Sequence, residues 1–433
     1  MRQYSVYKNS GIEWVGEIPE RWSAKPLFSL FKERQAPNEG NREANVLSLS
    51  YGRIIRRNVE SNFGLLPESF ETYNIVEPLD IVLRLTDLQN DKRSLRCGLV
   101  KEKGIITSAY LTLQKIKDVD CKYMFYLLHN YDIRKVFYSM GGGVRQAIKF
   151  DDLKRLSILL PSLDEQKAIM GYLDRKTSQI DDLITKKKRM IDLLKEERTA
   201  IIKQAVTKGL NSNVGMKNSS IEWLGDVPGH WGIKKLKYLF RIINGATPSS
   251  AESDFWDGSI PWATPDDFSS TQANGVLTET RRKITNQGYQ SCGTSLAPSG
   301  SVILSTRAPI GYLALIGQDM CCNQGCRILV KNCAEAKERY FYYYLLANTD
   351  NLASLGQGST FKELSRDKLA TFFVLNPPPK EQEEIIAFLD YKIEQVDTLI
   401  VRALKTVELL KEFRITLISE VVTGKIDVQE CVS

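Results

Sequence analysis

Histidine is nearly missing from this chain: its 433 residues hold only His129 and His230, one in each half. Two separated imidazoles leave little raw material for a Ser-His or Cys-His nucleophilic pair, and no H-E-x-x-H run is present to hold a catalytic zinc. The phosphate loop G-x-x-x-x-G-K-[ST] and the nucleophile turn G-x-S-x-G are absent too. The Asn-Pro-Pro-aromatic signature of adenine methyltransferases has only the near-match "NPPP" at 376–379, and Pro379 cannot stack on a flipped base. No Gly-rich motif for S-adenosylmethionine is found. No apolar run reaches transmembrane length, and "MRQYSVYKNSGIEW" at the start has no apolar core of a secretory signal. These absences predict a cytoplasmic protein with no membrane partner, no cofactor and no catalytic residues of its own: a binder.

Eight cysteines in a cytoplasmic chain are expected to be reduced. Cys321, Cys322, Cys326 and Cys333 crowd into "DMCCNQGCRILVKNC". Adjacent cysteines are awkward tetrahedral ligands and C-x2-C spacing is lacking, so buried small thiols fit better than zinc, and no metal site is expected. With 42% hydrophobic and 26% charged residues the composition is globular, and the length allows two or three domains. The net charge of +7 is compatible with simple solubility; it points to nucleic acid only where charges cluster.

The chain repeats itself. "NSGIEWVGEIPERW" (9–22) returns as "NSSIEWLGDVPGHW" (218–231), with Ile221 standing 209 positions after Ile12. "LLPSLDEQKAIMGYLDRKTSQIDDLI" (159–184) returns as "LNPPPKEQEEIIAFLDYKIEQVDTLI" (375–400), with Glu381 standing 216 positions after Glu165. The framing segments repeat while the blocks between them (about 25–158 and 234–375) differ in sequence, and the spacing between framing segments is seven residues longer in the second half.

Two long helices are predicted. From 165 to 207 there is no proline and only Gly171. Ile180, Ile184, Lys187, Ile191, Leu194, Arg198, Ile201 and Ala205 recur at alternating steps of four and three, as do Val396, Ile400, Ala403, Val407, Leu410, Arg414, Leu417 and Val421. That is a coiled-coil seam. Leu183, Met190 and Leu193 beside it are expected to broaden the apolar stripe. Ser162 with Glu165 suits a capping box; in the second copy Pro378 and Pro379 occupy the turn, and proline suits a first helical position. Arg198 and Arg414, at matched seam positions, could pair with Glu197 or Glu412 or reach solvent. A helix of about forty residues spans roughly 60 Å. The expected fold class is α+β: two globular mixed α/β blocks separated by two long antiparallel coiled-coil helices, with a pseudo-two-fold internal repeat. The expected segments are 1–164, 165–208, 209–380 and 381–433.

The blocks carry clustered polar loops beside short strands such as Asp80–Leu85. In the first, Arg53, Arg56, Arg57, Arg84, Thr86, Gln89, Asn90, Lys92, Arg93 and Arg96 lie in or beside such loops; in the second, Trp262–Asp267 (with Thr264, Asp266 and Asp267), Arg281, Arg282 and Lys283, and Ser305, Thr306 and Arg307. Arg, Asn and Gln pair with base edges, and Arg and Lys neutralise phosphates. Any one of these residues is more simply a solvated loop side chain; the cluster favours double-stranded DNA. "GGGVRQAIKF" (141–150) and "GQGSTFKEL" (356–364) are Gly-rich turns that could cradle a phosphate or simply reverse the chain.

Together the recurrent phrases at 16–22 and 225–231, with "ATPSS…FWDGSIPWATPDD", "STRAPIGYLAL", "GSTFKELSRDKL" and "PPPKEQEEIIAFLD", resemble the specificity subunit of type I restriction-modification systems across essentially the whole chain. "GGGVRQAIKF" departs from "GSTFKEL" at the matching place. The resemblance implies two target recognition domains, each reading one half of a split DNA sequence. It also implies two methyltransferase subunits that supply S-adenosylmethionine and the adenine chemistry, with two restriction (motor-nuclease) subunits able to join. Two identical partners would need two equivalent docking surfaces, which gives the repeat a reason. Trp14, Trp22, Trp223 and Trp231 are expected to pack the frame, with partner contact as the alternative. A stand-alone DNA-binding regulator and a self-contained methyltransferase are the competing readings; missing motifs disfavour the second.

Overall fold

The computed structural model describes residues 2–57, 69–88, 95–140, 147–268, 275–307, 309–357 and 362–429. Two compact units emerge: Met1–Lys186 with Val407–Ser433, and Lys187–Thr406. They differ from the expected linear segments because each takes a share of both long helices, Leu163–Lys208 and Pro379–Val422. The physical reason is the seam: an apolar stripe on one helix is covered only by the other helix.

In the first unit a four-stranded antiparallel sheet runs Phe31–Glu33, Leu111–Lys115, Ile81–Leu83, Cys97–Leu99 in spatial order. The strand expected over Asp80–Leu85 is the shorter Ile81–Leu83. Helix Cys121–Ile133, capped by the Asp120 carboxylate accepting from Lys122 N and Tyr123 N, packs its apolar side into the core. Leu417, Ile418, Val421 and Val422, near the end of the second long helix, join that core beside Ile169, Leu173 and Ile180 from the first. Tyr123 donates to Val422 O at 3.2 Å, while Glu165 at the other helix's start lies in the same unit, so the two helix stretches run antiparallel.

The second unit repeats this plan on a different sheet. Five strands lie in the order Phe240–Asn244, Cys326–Lys331, Val302–Ser305, Leu313–Ile316, Val276–Leu277, the last pair parallel. A three-stranded sheet orders Arg282–Ile284, Trp256–Ala263 and Cys321–Cys322. Helix Glu338–Ala347 takes the place of Cys121–Ile133, and its Tyr340 donates to Val206 O at 3.2 Å. Cys321, Cys322 and Cys326 are buried, and burial pushes the first two thiols up to about 11 and about 12, the behaviour of packed thiols.

The repeated phrase folds identically in both units. Strands Tyr7–Asn9 and Glu17–Pro19 pair, as do Met216–Asn218 and Asp226–Pro228. The intervening turn closes by Gly16 N donating to Ile12 O and Gly225 N to Ile221 O, with both glycines at positive φ. Trp22 and Trp231 follow with no exposed surface. Trp14 and Trp223 differ from them: each keeps 38% of its surface exposed.

The Glu-Gln pair at each long helix start is the hub these elements meet. Gln166 accepts from Asp120 N and donates to Pro161 O; Gln382 accepts from Lys337 N and donates to Pro377 O. Glu165 accepts from Tyr4 O–H at 2.8 Å and pairs with Arg21 at 3.1 Å. Glu381 accepts from Trp231 Nε1 at 3.0 Å and meets His230 Nε2 at 2.8 Å. Ser162 Oγ accepts from Glu165 N as a cap should, but the Glu165 carboxylate is engaged by Tyr4 and Arg21 rather than closing the expected box.

All sixteen expected seam residues are buried or half-buried. The matched arginines are settled differently from the expectation: Arg198 pairs with Asp397 at 2.9 Å in the second unit, and Arg414 with Asp181 at 3.2 Å in the first. Asp397 stands 216 positions after Asp181, as Arg414 does after Arg198. Leu183, Met190 and Leu193 do not broaden the buried stripe; they are exposed, since a single partner helix covers only the seam.

Candidate nucleic-acid interface

In the first unit the basic residues are carried by a tight hairpin. Strands Leu47–Ser50 and Arg53–Arg56 pair with Ser50 opposite Arg53, so the loop is Tyr51-Gly52. Both have positive φ, 45° and 76°, which a two-residue turn matched to strand twist requires. The hairpin lies on strand Cys97–Leu99: a Cβ at Gly98 would come within 2.6 Å of Leu49 Cδ1. Arg53 and Arg56 are exposed and Arg57 is half-buried. Arg56 makes a two-point pair with Glu102, Nε to Oε1 at 2.8 Å and Nη2 to Oε2. That pair holds the Glu102 carboxyl below the usual range.

Of the other described candidates of this unit, Arg84 and Thr86 are half-buried and follow strand Ile81–Leu83, whereas Arg96 is buried. The hairpin and this segment meet at one junction, since Gly52 N donates to Leu95 O and Arg84 N to Arg96 O. Gln89, Asn90, Lys92 and Arg93 lie outside the described residues.

In the second unit the candidates divide. Arg281, Arg282, Lys283, Arg307 and Asp266 are exposed, and Thr264 is half-buried. Asp267, Ser305 and Thr306 are buried and bonded inward. Asp267 accepts from Thr264 N, Thr264 Oγ1 and Arg281 N, tying two candidate loops together. Ser305 Oγ donates to Pro309 O and accepts from Tyr312 N, and Thr306 Oγ1 donates to Gly325 O. These three shape the loops; their side chains have no open face toward a ligand.

Trp256 and Glu363, which were not among the candidates, and Trp262, at the edge of a candidate loop, hold the exposed ones in place. The Arg282 guanidinium lies 3.5 Å from the Trp256 ring centroid and 5.6 Å from that of Trp262. These indoles in turn donate to Ser249 O and Ala246 O. Glu363 meets Arg307 at 3.2 Å and Arg327 at 3.7 Å, joining the strand Cys326–Lys331 to the 305–307 loop. An aromatic pair six residues apart was a usable signal for the first; nothing local signals the second, whose partners are 56 and 36 positions away in sequence.

Of the two Gly-rich turns, residues 141–146 and 358–361 lie outside the described residues. The helices after them, Phe150–Leu153 and Arg366–Thr371, have four and six residues, too short to aim a sizeable dipole at a phosphate. No helix among the described residues is long and apolar enough to cross a membrane.

Residues 100–193 and 228–409, more than half of the chain, match the family described as the type I restriction modification DNA specificity domain. The chain is 32% identical over 196 residues to the type I restriction enzyme MjaIX specificity subunit of Methanocaldococcus jannaschii, spanning 45% of this chain and 44% of that relative. It is 25% identical over 342 residues to the MjaVIII specificity subunit of the same organism, spanning 76% of each. Among solved structures, a chain from work on complex assembly and conformational transition of the type I R-M system superposes with a TM-score of 0.73 at 16% identity, covering 94% of this chain and 99% of that one. The HsdS subunit from Thermoanaerobacter tengcongensis superposes with a TM-score of 0.58 at 17% identity, covering 94% and 98%. At such identities the structures speak for the shared fold.

Proposed function

From the premise that this chain belongs to the type I restriction modification DNA specificity domain family, we propose that it is a sequence-specific DNA-binding specificity subunit, cytoplasmic and non-catalytic. It reads a bipartite double-stranded target and directs methyltransferase subunits, and restriction subunits where these join, to that site. Residues 1–164 and 209–380 serve as the two target recognition domains, and the stretches 165–208 and 381–433 as the shared frame.

The observation that carries the reading is one frame bearing two unlike heads. The Trp turn, the Glu-Gln hub and the Arg–Asp seam pair occur in each unit at matched positions, while the sheets and loops they support differ. DNA contact falls to the exposed cations Arg53 and Arg56 with the half-buried Arg57, Arg84 and Thr86 in one unit, and to the exposed Arg281, Arg282, Lys283 and Arg307 in the other. Gln89, Asn90, Lys92 and Arg93 belong to the same proposed surface by sequence position. Thr264 and Asp266 flank it, and Asp267, Ser305 and Thr306 support it from within. Equivalent partners are supported by equivalent apolar exposure: Leu183 and Leu399 are 47% and 41% exposed, Leu193 and Leu409 48% and 53%. Solvent-facing leucines at repeated positions are what two like partner helices would cover.

The test is to co-express the chain with a type I methyltransferase subunit from the same organism and map adenine methylation across a plasmid library. A split motif that disappears when the chain is omitted supports the proposal. An active methyltransferase whose pattern ignores the chain would leave a stand-alone DNA binder instead.

A further inference from the structure

Arg96 has no exposed surface at all, an unusual place for a guanidinium. Burial of such a group is tolerable only if its fixed fork of donors is satisfied. Here the fork is spent almost wholly on one short stretch of backbone. Nη1 donates to Arg84 O at 3.2 Å and to Thr86 O at 2.8 Å, and Nη2 donates to Asp87 O at 3.2 Å. Nε donates to the Tyr138 hydroxyl at 3.2 Å, and the guanidinium lies 5.6 Å from that ring's centroid. The one carbonyl of the stretch that Arg96 does not take, Leu85 O, accepts from Ile148 N at 2.9 Å. Every carbonyl from Arg84 to Asp87 is therefore held.

The stretch needs holding. Asp87 sits at φ 56°, a left-handed conformation that costs energy for a residue with a Cβ. Leu85 and Leu88 are buried and pin it from below. Arg96 is itself fixed from behind, its N–H donating to the buried Asp132 carboxylate at 2.6 Å, and its own carbonyl accepts from Arg84 N. The same junction anchors the Arg53–Arg56 hairpin through Leu95 O.

We propose that Arg96 is the positioning residue of the first domain's DNA-reading surface: its buried guanidinium fixes the backbone of Arg84–Asp87, and with it the direction in which Arg84 and Thr86 meet one half of the target. The proposal rests on the specificity-subunit reading above. Base readout needs side chains held on an immobile backbone, because a donor that wanders by an ångström no longer distinguishes base edges. Lysine is no substitute, since a single ammonium cannot span three carbonyls and a hydroxyl.

The experiment uses the full chain with its methyltransferase partner, in three forms: native, Arg96→Lys and Tyr138→Phe. Methylation is scored at the native motif and at sites with one base changed in either half, with thermal unfolding of each chain in parallel. Arg96→Lys is expected to lower discrimination roughly tenfold in one half of the motif and to leave the other half as in the native chain. Tyr138→Phe removes the Nε acceptor, together with the hydroxyl that Lys135 Nζ meets at 3.3 Å, and should act on the same half, more weakly. A merely structural role would reduce methylation at every site together. A folded Arg96→Lys chain with native discrimination in both halves, or with equal loss in both, overturns the proposal. Should Arg96→Lys fail to fold, unchanged discrimination by Tyr138→Phe overturns it. If the native chain confers no motif, the specificity reading itself falls, a result visible before either variant is compared.

Discussion

Gln382 uses both ends of its amide: the oxygen accepts from Lys337 N, and the nitrogen reaches Pro377 O and Glu335 O at 2.8 and 2.9 Å. It has no exposed surface, so replacing it with leucine strands a backbone donor and backbone acceptors without water to relieve them. Gln382→Leu is expected to destabilise by about 2–3 kcal/mol, measured by urea unfolding. His129 offers a residue-scale test in pH. Burial, and then the positive Arg414 nearby, depress its pKa from the usual 6.5 to about 4. Between those values the unfolded chain binds a proton that the folded one refuses, so stability falls as pH drops from about 6.5 to about 4. His129→Gln should lose less stability than the native chain over that window, the difference reaching about 3 kcal/mol at most. Equal acid losses in both chains would refute the assignment.

At the scale of elements, the long helices carry their evidence in periodicity. The four-three spacing of Ile180 through Ala205 and Val396 through Val421 identified the buried stripe because a heptad pattern sustained over that length has one helical solution. The width of the stripe was not legible. Leu183 and Leu193 are as apolar as their neighbours, and only the number of covering helices decides whether they are buried. Pairing was not legible either, because Arg198 and Asp397 are 199 positions apart. That pair is half-buried at 25% and 17% exposure of the side chains. A double-mutant cycle of Arg198→Ala with Asp397→Ala is expected to give a coupling of about 1 kcal/mol, read from chemical unfolding. Its counterpart Arg414–Asp181, with the carboxylate more exposed, should give less. A coupling near zero for both would mean that the seam is held by its apolar residues alone.

For the whole molecule, the repeat made two heads and a shared frame readable, because matched spacing survives where sequence between it does not. The proposed recognition surface was readable only as composition. Arg53, Arg56 and Arg282 proved exposed, but Asp267, Ser305 and Thr306 turned inward, since polar loops need side chains to satisfy their own backbone as well as any ligand. Arg96 reads as one more loop cation until its burial is known. If the helices measure the gap between half-sites, one heptad added to both preserves the seam and lengthens each by about 10 Å. The methylated motif should then gain about three base pairs in its gap at roughly 3.4 Å each. An unchanged gap would rule the ruler out.

The make-up of the two compact units sets an order of birth. Lys187–Thr406 is one continuous stretch of chain, complete once that stretch has left the ribosome. The unit holding the N-terminus must wait longer, because Leu417, Val421, Ile426 and Val428 are part of its core. Residues 2–186 are thus sealed only after 187–406 have been made. A chain interrupted after residue 406 would therefore lose the core of residues 2–186 while keeping every residue of 187–406.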